Sequence, residues 1–314
     1  MRRVSAPPVN VRPIVIRNTI NYNITVIIVG GSSSKMLTAH LAAETGSSVA
    51  STEIRCFPDG EKYVRILTPI VKQDVIIVSA TYPDSCIIET LLLFDAVRRG
   101  KPASIRLLVP YYGYQRQDKL FREGESIGAE VVADMLDGKF DEIITIDLHA
   151  EGVSNYFRKT KIRNFVASPL IARFYNKSGI DIVISPDGGL RAVEYAKRAA
   201  HQLGCEYDYF LKERIDANNV KLYPKNVDVS KKSVLIVDDI IATGSSMIAA
   251  MKRLSELGAS AIYAGCTHGQ FTSNALPRLR EHAKEIISTD TIESEASKVS
   301  VAAIVSEHLF QLRR

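Results

Sequence analysis

Between Val234 and Ser246 the chain reads VLIVDDIIATGSS, an apolar run leading into two adjacent carboxylates and then a turn of small and hydroxylated residues. Ionised Asp238 and Asp239 carry only acceptor lone pairs, so they suit a ligand that presents vicinal hydroxyls. Thr243-Gly244-Ser245-Ser246 opens onto MIAAMKRLSEL, an apolar-periodic segment ending before Gly258 that predicts a helix. A helix amino terminus gathers free N–H groups and the positive end of the dipole, which suits a phosphate. Two carboxylates repel a phosphate. The stretch therefore divides its labour, with hydroxyls at the acids and phosphate at the turn, as a sugar phosphate requires. The structural alternative is an ordinary helix start capped by Thr243 or Ser245.

Other constellations carry compatible chemistry. Tyr111 to Ser126, YYGYQRQDKLFREGES, combines Arg116, Lys119 and Arg122 with Tyr111, Tyr112 and Tyr114. Guanidinium forks pair with phosphates and aromatic faces can pack on a base; the alternative is solvated loop charge. TIDLHAEG leaves Asp147 and His149 at the end of a predicted strand, the edge where open α/β sheets bind ligands. ISPDGGLRA places Asp187 at another strand end, where it could take a magnesium ion or cap the following helix. FLKERIDANN puts Lys212 and Arg214 on one side of an extended segment, positioned to ride a closing loop or to guard a sheet edge. CFPDGEKYV predicts a hairpin with Asp59 and Glu61 at its tip and Phe57 at its base.

Positioning these groups is the work of strands and helices that alternate almost to the end of the chain, the pattern of mainly parallel sheets flanked by helices. VIIVSAT from Val75 matches VLIVDDI from Val234, an offset of 159 residues, and ASIRLLVPYYG matches ASAIYAGCTHG at an offset of 156. Similar offsets predict a duplicated domain. The first copy has Ser79-Ala80 in place of the two acids, so only the second keeps the sugar grip. The predicted organisation is an arm over 1–23, a first domain over 24–165 and a second over 166–314.

At 314 residues and 46% hydrophobic content, the chain can build about two cores. A net charge of +5, with no dense basic block interleaved with aromatics, fits small anions better than nucleic acid. Cys56, Cys86, Cys205 and Cys266 lie far apart, suggesting neither a zinc site nor a disulfide framework and pointing to the cytoplasm. No apolar run is long enough for a membrane helix, and the first residues do not read as a secretory signal.

FPDGE, RQDK, DLH, SPDGG, KER and VDDIIATGSS, in that order, resemble the ribose-phosphate pyrophosphokinase (phosphoribosyl pyrophosphate, PRPP, synthetase) family from the first strand nearly to the carboxyl terminus. The resemblance implies tandem type I phosphoribosyltransferase-like domains. It also implies an Mg2+-dependent transfer of the β,γ-pyrophosphoryl group of ATP to the anomeric hydroxyl of ribose 5-phosphate, giving PRPP and AMP. Phe57, Asp59, Gly60 and Glu61 would contact ATP from a neighbouring subunit of a homo-oligomer. Arg116, Gln117, Asp118 and His149 would contact ATP, His149 and Asp187 the metal. Lys212 would be the catalytic lysine and Arg214 would hold phosphate groups. Asp238 and Asp239 would take the ribose hydroxyls and Ala242, Thr243, Gly244, Ser245 and Ser246 the 5-phosphate. Ala242 stands where many members have an acid, and Ser245-Ser246 where they have Gly-Thr, which leaves allosteric control and oligomer type open. Two other readings share the motif: a PRPP-consuming phosphoribosyltransferase, which would not need FPDGE and RQDK, and a non-catalytic synthetase-associated regulator, which would be expected to have lost catalytic positions.

Overall fold

The computed structural model describes residues 26–214, 220–224 and 227–311. The arm expected over 1–23 lies outside the described residues. The first half runs β1 (Val26–Gly30), α1 (Lys35–Thr45), β2 (Ser48–Val49), β3 (Thr52–Cys56), β4 (Lys62–Ile66), β5 (Asp74–Val78), α2 (Asp84–Arg99), β6 (Ser104–Val109), α3 (Gly128–Leu136), β7 (Glu142–Ile146), a short 3-10 turn and β8 (Lys161–Phe165). The second runs α4 (Ser168–Phe174), β9 (Ile182–Ser185), α5 (Leu190–Leu203), β10 (Glu206–Arg214), β11 (Val220–Pro224), β12 (Ser233–Ile241), α6 (Ser245–Glu256), β13 (Ala261–Gly269), α7 (Ala275–Arg280), β14 (Glu285–Thr289), β15 (Ser297–Val299) and α8 (Ala302–Gln311).

These strands form two large sheets, ordered β2-β1-β5-β6-β7-β8 and β11-β10-β9-β12-β13-β14-β15. Within them the pairs are parallel except β10 with β11. The central strands are apolar throughout because helices cover both faces: Val75 to Val78 and Val234 to Val237 are fully buried. The matched segments of the sequence, β5 and β12 and then β6 and β13, hold the same places in the two sheets, as a duplicated α/β unit predicts. The β3–β4 hairpin is the separate antiparallel pair expected around Asp59-Gly60, with Gly60 at a φ of 93° that favours glycine.

One element returns across the molecule. Val301, Ala302, Val305 and Leu309, from the start and body of α8, pack with Val26, Ile28, Leu37, Leu41 and Ile76, so the last helix closes a core of the first sheet. Beside it, His40 of α1 bonds the buried Asp290 at 2.7 Å. Asp290 in turn accepts the Val301 N–H at 2.9 Å. Among the described residues no helix is long and apolar enough to cross a membrane.

Leu309→Ala, which empties a nearly fully buried site in that shared core, should lower the stability of the whole chain by about 2–5 kcal/mol, read from the urea unfolding midpoint.

Candidate active site

β12 carries the acid pair inside the strand rather than at its end, since Asp238 pairs with Cys266 and the ladder continues to Ile241 opposite Gly269. The turn that follows is capped by neither Thr243 nor Ser245. Gly244, at a φ of 73°, is the residue before α6, and no side chain caps the helix start. Leu279 and Ala275 lie 3.2 and 3.4 Å from where a Gly244 side chain would begin, so glycine answers both the backbone angle and the close packing. Thr243, Ser245 and Ser246 are exposed, with the Thr243 and Ser245 hydroxyls 3.1 Å apart. The three exposed hydroxyls thus stand at a helix start, the kind of place whose free amides can meet an anion.

Asp239 is buried, and its Oδ2 accepts His149 Nδ1–H at 2.8 Å and lies 3.5 Å from Arg191 Nε. Burial alone would push its carboxyl up, but the His149 bond and the charges of His149 and Arg191 hold it below its ordinary value. Asp238 goes the other way: burial, then the charges of Asp239 and Asp187, push its carboxyl well above the usual range. Adjacent carboxylates in one site titrate as a pair, and half-buried Asp238 is the member whose charge its neighbours disfavour.

Around this pair lies a buried polar seam joining the two halves. Asp147, at a φ of 43° after β7, accepts the Thr267 hydroxyl at 2.6 Å and the Ala167 N–H at 2.9 Å. Burial raises its carboxyl to about 6 against those bonds and the Arg191 charge. The buried Tyr195 hydroxyl lies 2.5 Å from Thr267 Oγ1. His268 Nε2–H points at the carbonyls of Ile146 and Asp147, at 3.1 and 3.3 Å, and its ring packs edge-on to Tyr111 at 4.8 Å. The Tyr111 hydroxyl accepts Gln270 Nε2–H at 2.9 Å. Asp147 Oδ1, Arg191 Nε and Gln115 Nε2 are buried without a hydrogen-bond partner among the described residues. Arg191 stands between Asp147 and Asp239, 4.0 and 3.5 Å away, as the cation shared by the two buried acids.

The arginine loop joins the seam through Gln115, whose Oε1 accepts the backbone N–H of His149 at 2.8 Å. A cleft of about 320 Å3 is lined by Tyr111, Tyr114, Arg116 and Gln117, with Arg116 exposed in it. Asp118 lies beside it, its carbonyl held by Tyr156 at 2.6 Å. Tyr112 does not join the cleft: it is fully buried and donates to the Ala129 carbonyl at 2.9 Å, which makes it a core residue. Asp187 closes its own turn, Oδ1 accepting the Gly189 N–H at 2.9 Å just before α5. His149 is brought to Asp239, and among the described residues no group of three His, Cys, Asp or Glu side chains is placed to hold a metal.

The tip residues Phe57, Asp59, Gly60 and Glu61 are exposed and hydrogen-bond within the hairpin. Arg55 lies 4.6 Å over the Phe57 ring and 4.3 Å over that of Tyr63. Lys212 and Arg214 lie on β10, opposite Leu222 and Val220 of β11, and their side chains lie outside the described part of the structure, as does 215–219. Sequence reasoning missed Arg191, Gln115, Tyr195, Thr267 and His268. Arg191 carried a signal, since a cation in the first turn of a helix opposes the dipole and needs another reason to be there.

With this geometry in view, comparison with known proteins is direct. The family model for the N-terminal domain of ribose phosphate pyrophosphokinase matches residues 26–138, and that for the phosphoribosyl synthetase-associated domain matches 217–311. The chain is 37% identical over 279 residues to ribose-phosphate pyrophosphokinase 2 of Archaeoglobus fulgidus, covering 88% of this chain and 97% of the relative. It is 40% identical over 278 residues to ribose-phosphate pyrophosphokinase of Pyrococcus furiosus, covering 88% and 97%. Its fold is similar to the crystal structure of phosphoribosylpyrophosphate synthetase from Mycobacterium smegmatis, with a TM-score of 0.79 at 26% identity, covering 92% of this chain and 99% of that one.

Burial holds His268 at about 4 against an ordinary 6.5. The unfolded chain therefore takes up this proton first as pH falls, so the stability His268 contributes is complete above 6.5 and is lost towards 4. Between pH 7.5 and pH 5 the gap in unfolding free energy between the wild type and His268→Gln should change by about 2 kcal/mol, the wild type losing more. Urea midpoints at the two pH values check this.

Proposed function

The chain belongs to the ribose-phosphate pyrophosphokinase family, and we propose that it transfers the β,γ-pyrophosphoryl group of ATP to the anomeric hydroxyl of ribose 5-phosphate, releasing PRPP and AMP. As a member of that family it is an enzyme, a transferase of diphosphate groups. The observation that carries the specific reading is one strand–turn–helix, β12 to α6, which places the acid pair beside an uncapped, hydroxyl-bearing helix start. Through Asp239, His149 and Gln115 it is joined to the loop that bears Arg116.

In this reading Ala242, Thr243, Gly244, Ser245 and Ser246 hold the 5-phosphate through first-turn amides and hydroxyls, while Asp238 and Asp239 accept the ribose hydroxyls. His149 and Arg191 fix the Asp239 carboxylate, so its lone pairs are aimed before the sugar arrives. A donating ribose hydroxyl relieves the repulsion that raises Asp238. Arg116, Gln117 and Asp118, with Phe57, Asp59, Gly60 and Glu61 of the hairpin, hold ATP. The tip's bonds are internal, which suits its delivery into the site of a second copy in a homo-oligomer. Lys212 and Arg214 neutralise charge that builds on the transferring group, the task phosphoryl chemistry sets a protein. We keep the division into 24–165, for the nucleotide, and 166–314, for the sugar phosphate, with α8 strapped back onto the first sheet.

Magnesium fits this donor set. Asp187 and Asp238 are hard oxygen ligands whose mutual repulsion a cation relieves, and Mg2+ is commonly held by one or two carboxylates together with substrate phosphates rather than by a full protein cage. His149 already spends Nδ1 on Asp239, leaving it one ring nitrogen for metal or nucleotide. When bound, the ion would neutralise charge on the triphosphate.

Purified protein given magnesium, ATP and ribose 5-phosphate should release AMP and PRPP in equal amounts. PRPP consumption with a free base would favour the transferase reading, and neither activity the synthetase-associated one. Asp238→Asn should raise KM for ribose 5-phosphate about 10–100-fold, the loss of charge-assisted hydrogen bonds. Lys212→Ala should lower kcat by about 100–1000-fold with KM for ATP little changed, as loss of a transition-state charge partner predicts.

A further inference from the structure

The carboxyl end of β1 and β5 in the first sheet is the counterpart of that of β9 and β12 in the second, because each pair lies side by side at the same place in its sheet order. In the second sheet this edge carries the Asp187-Gly188-Gly189 turn and the acid pair. In the first it carries Gly31-Ser32-Ser33-Ser34 and Ser79-Ala80, and an anion already sits there that belongs to the chain. Glu89 of α2, 0% exposed, accepts the Ser32 N–H at 2.6 Å and the Ser32 hydroxyl at 2.7 Å. A Cβ on Gly31 would come within 2.7 Å of Ser79 Oγ and 3.3 Å of Glu89 Oε1, so the loop is closed tightly around this carboxylate.

Its counter-charge comes from the hairpin. Lys62 Nζ donates to Glu89 Oε2 at 2.7 Å, with the lysine side chain only 15% exposed. Lys62 opposite Cys56 is the pair at the tip end of the β3–β4 ladder, so the next residues are the exposed tip itself. Ile54, Val64 and Ile66 pack on the core further from the tip, leaving Lys62 as the ion-paired anchor nearest to Phe57 to Glu61. Burial would push Glu89 up, but its bonds from Lys62 and Ser32 hold it below the ordinary carboxyl value, and the Glu89 bond raises Lys62. Both groups stay charged at neutral pH.

We propose that the buried pair of Glu89 with Lys62, locked in place by the Ser32 loop at the strand-end edge of the first sheet, is the mooring of the nucleotide-presenting hairpin. Lys62 and Glu89 are then positioning residues for ATP. The proposal rests on the nucleotide role given to the hairpin above.

Removing one partner of a buried pair leaves an uncompensated charge and can unfold the chain. The test therefore uses the neutralised double variant Lys62→Met with Glu89→Gln, in which the Gln amide oxygen still accepts from Ser32, beside Lys62→Arg. The expected result is a KM for ATP raised about tenfold, a loss of positioning rather than of chemistry, with kcat and KM for ribose 5-phosphate within about twofold, and with Lys62→Arg close to wild type. Amide hydrogen exchange without substrates should quicken about tenfold or more over 53–65 while β1 and β5 keep their protection. An unchanged KM for ATP in the folded double variant, or KM values for both substrates rising together, would overturn the ATP-positioning role. Unchanged exchange at the hairpin would overturn the mooring. If the wild type made no PRPP, the reading of the function would fall while the exchange arm still decided the mooring.

Discussion

Burying carboxylates at the meeting of two sheets is the constraint to which the rest of the molecule answers. Asp147, Asp238 and Asp239 sit where desolvation disfavours charge, and each is managed differently. Asp239 is held ionised by His149 and Arg191, Asp147 is held by Thr267 and the Ala167 amide, and Asp238 is left strained by its neighbours. Because the partners come from both halves, the seam that fixes the carboxylates also fixes the halves to each other. A group whose preferred state is set by repulsion from its neighbours is the one a ligand changes most on arrival, which makes Asp238 the responsive member of the set.

Duplication supplied two copies of the same strand-end crevice, and single residue types decided their fates. Asp238-Asp239 keeps one crevice polar and open to hydroxyls, whereas Ser79-Ala80 removes the acids from the other. Ser79 is buried and bonds Thr90 at 2.8 Å, so the first crevice is knit into its own core. The freed edge supports the hairpin instead, through the Lys62–Glu89 pair.

Strand and helix order was legible because apolar runs and periodicity report burial directly: the central strands, the β3–β4 hairpin and α6 emerged where pattern predicted them. Short edge elements such as β2, β8 and β15 escaped, since a strand half exposed at a sheet edge has no apolar run to betray it. The acid pair and hydroxyl turn were legible from local spacing. The seam was not, because Thr267 with Asp147, and His268 with the β7 carbonyls, are joined across more than a hundred residues of chain. Tyr112 shows the converse limit: composition grouped it with Tyr111 and Tyr114, but only packing reveals that it faces inward.

The return of α8 to the first sheet bears on how the protein is made. Chains emerge from the ribosome amino end first, and a domain usually folds as soon as it is complete. Here Val26, Ile28 and Leu37 wait for Val305 and Leu309, so the first sheet cannot finish its core until translation has passed the second. The early half must travel with an uncovered apolar face, a natural client for chaperones, and its final burial coincides with the joining of the two halves along the polar seam.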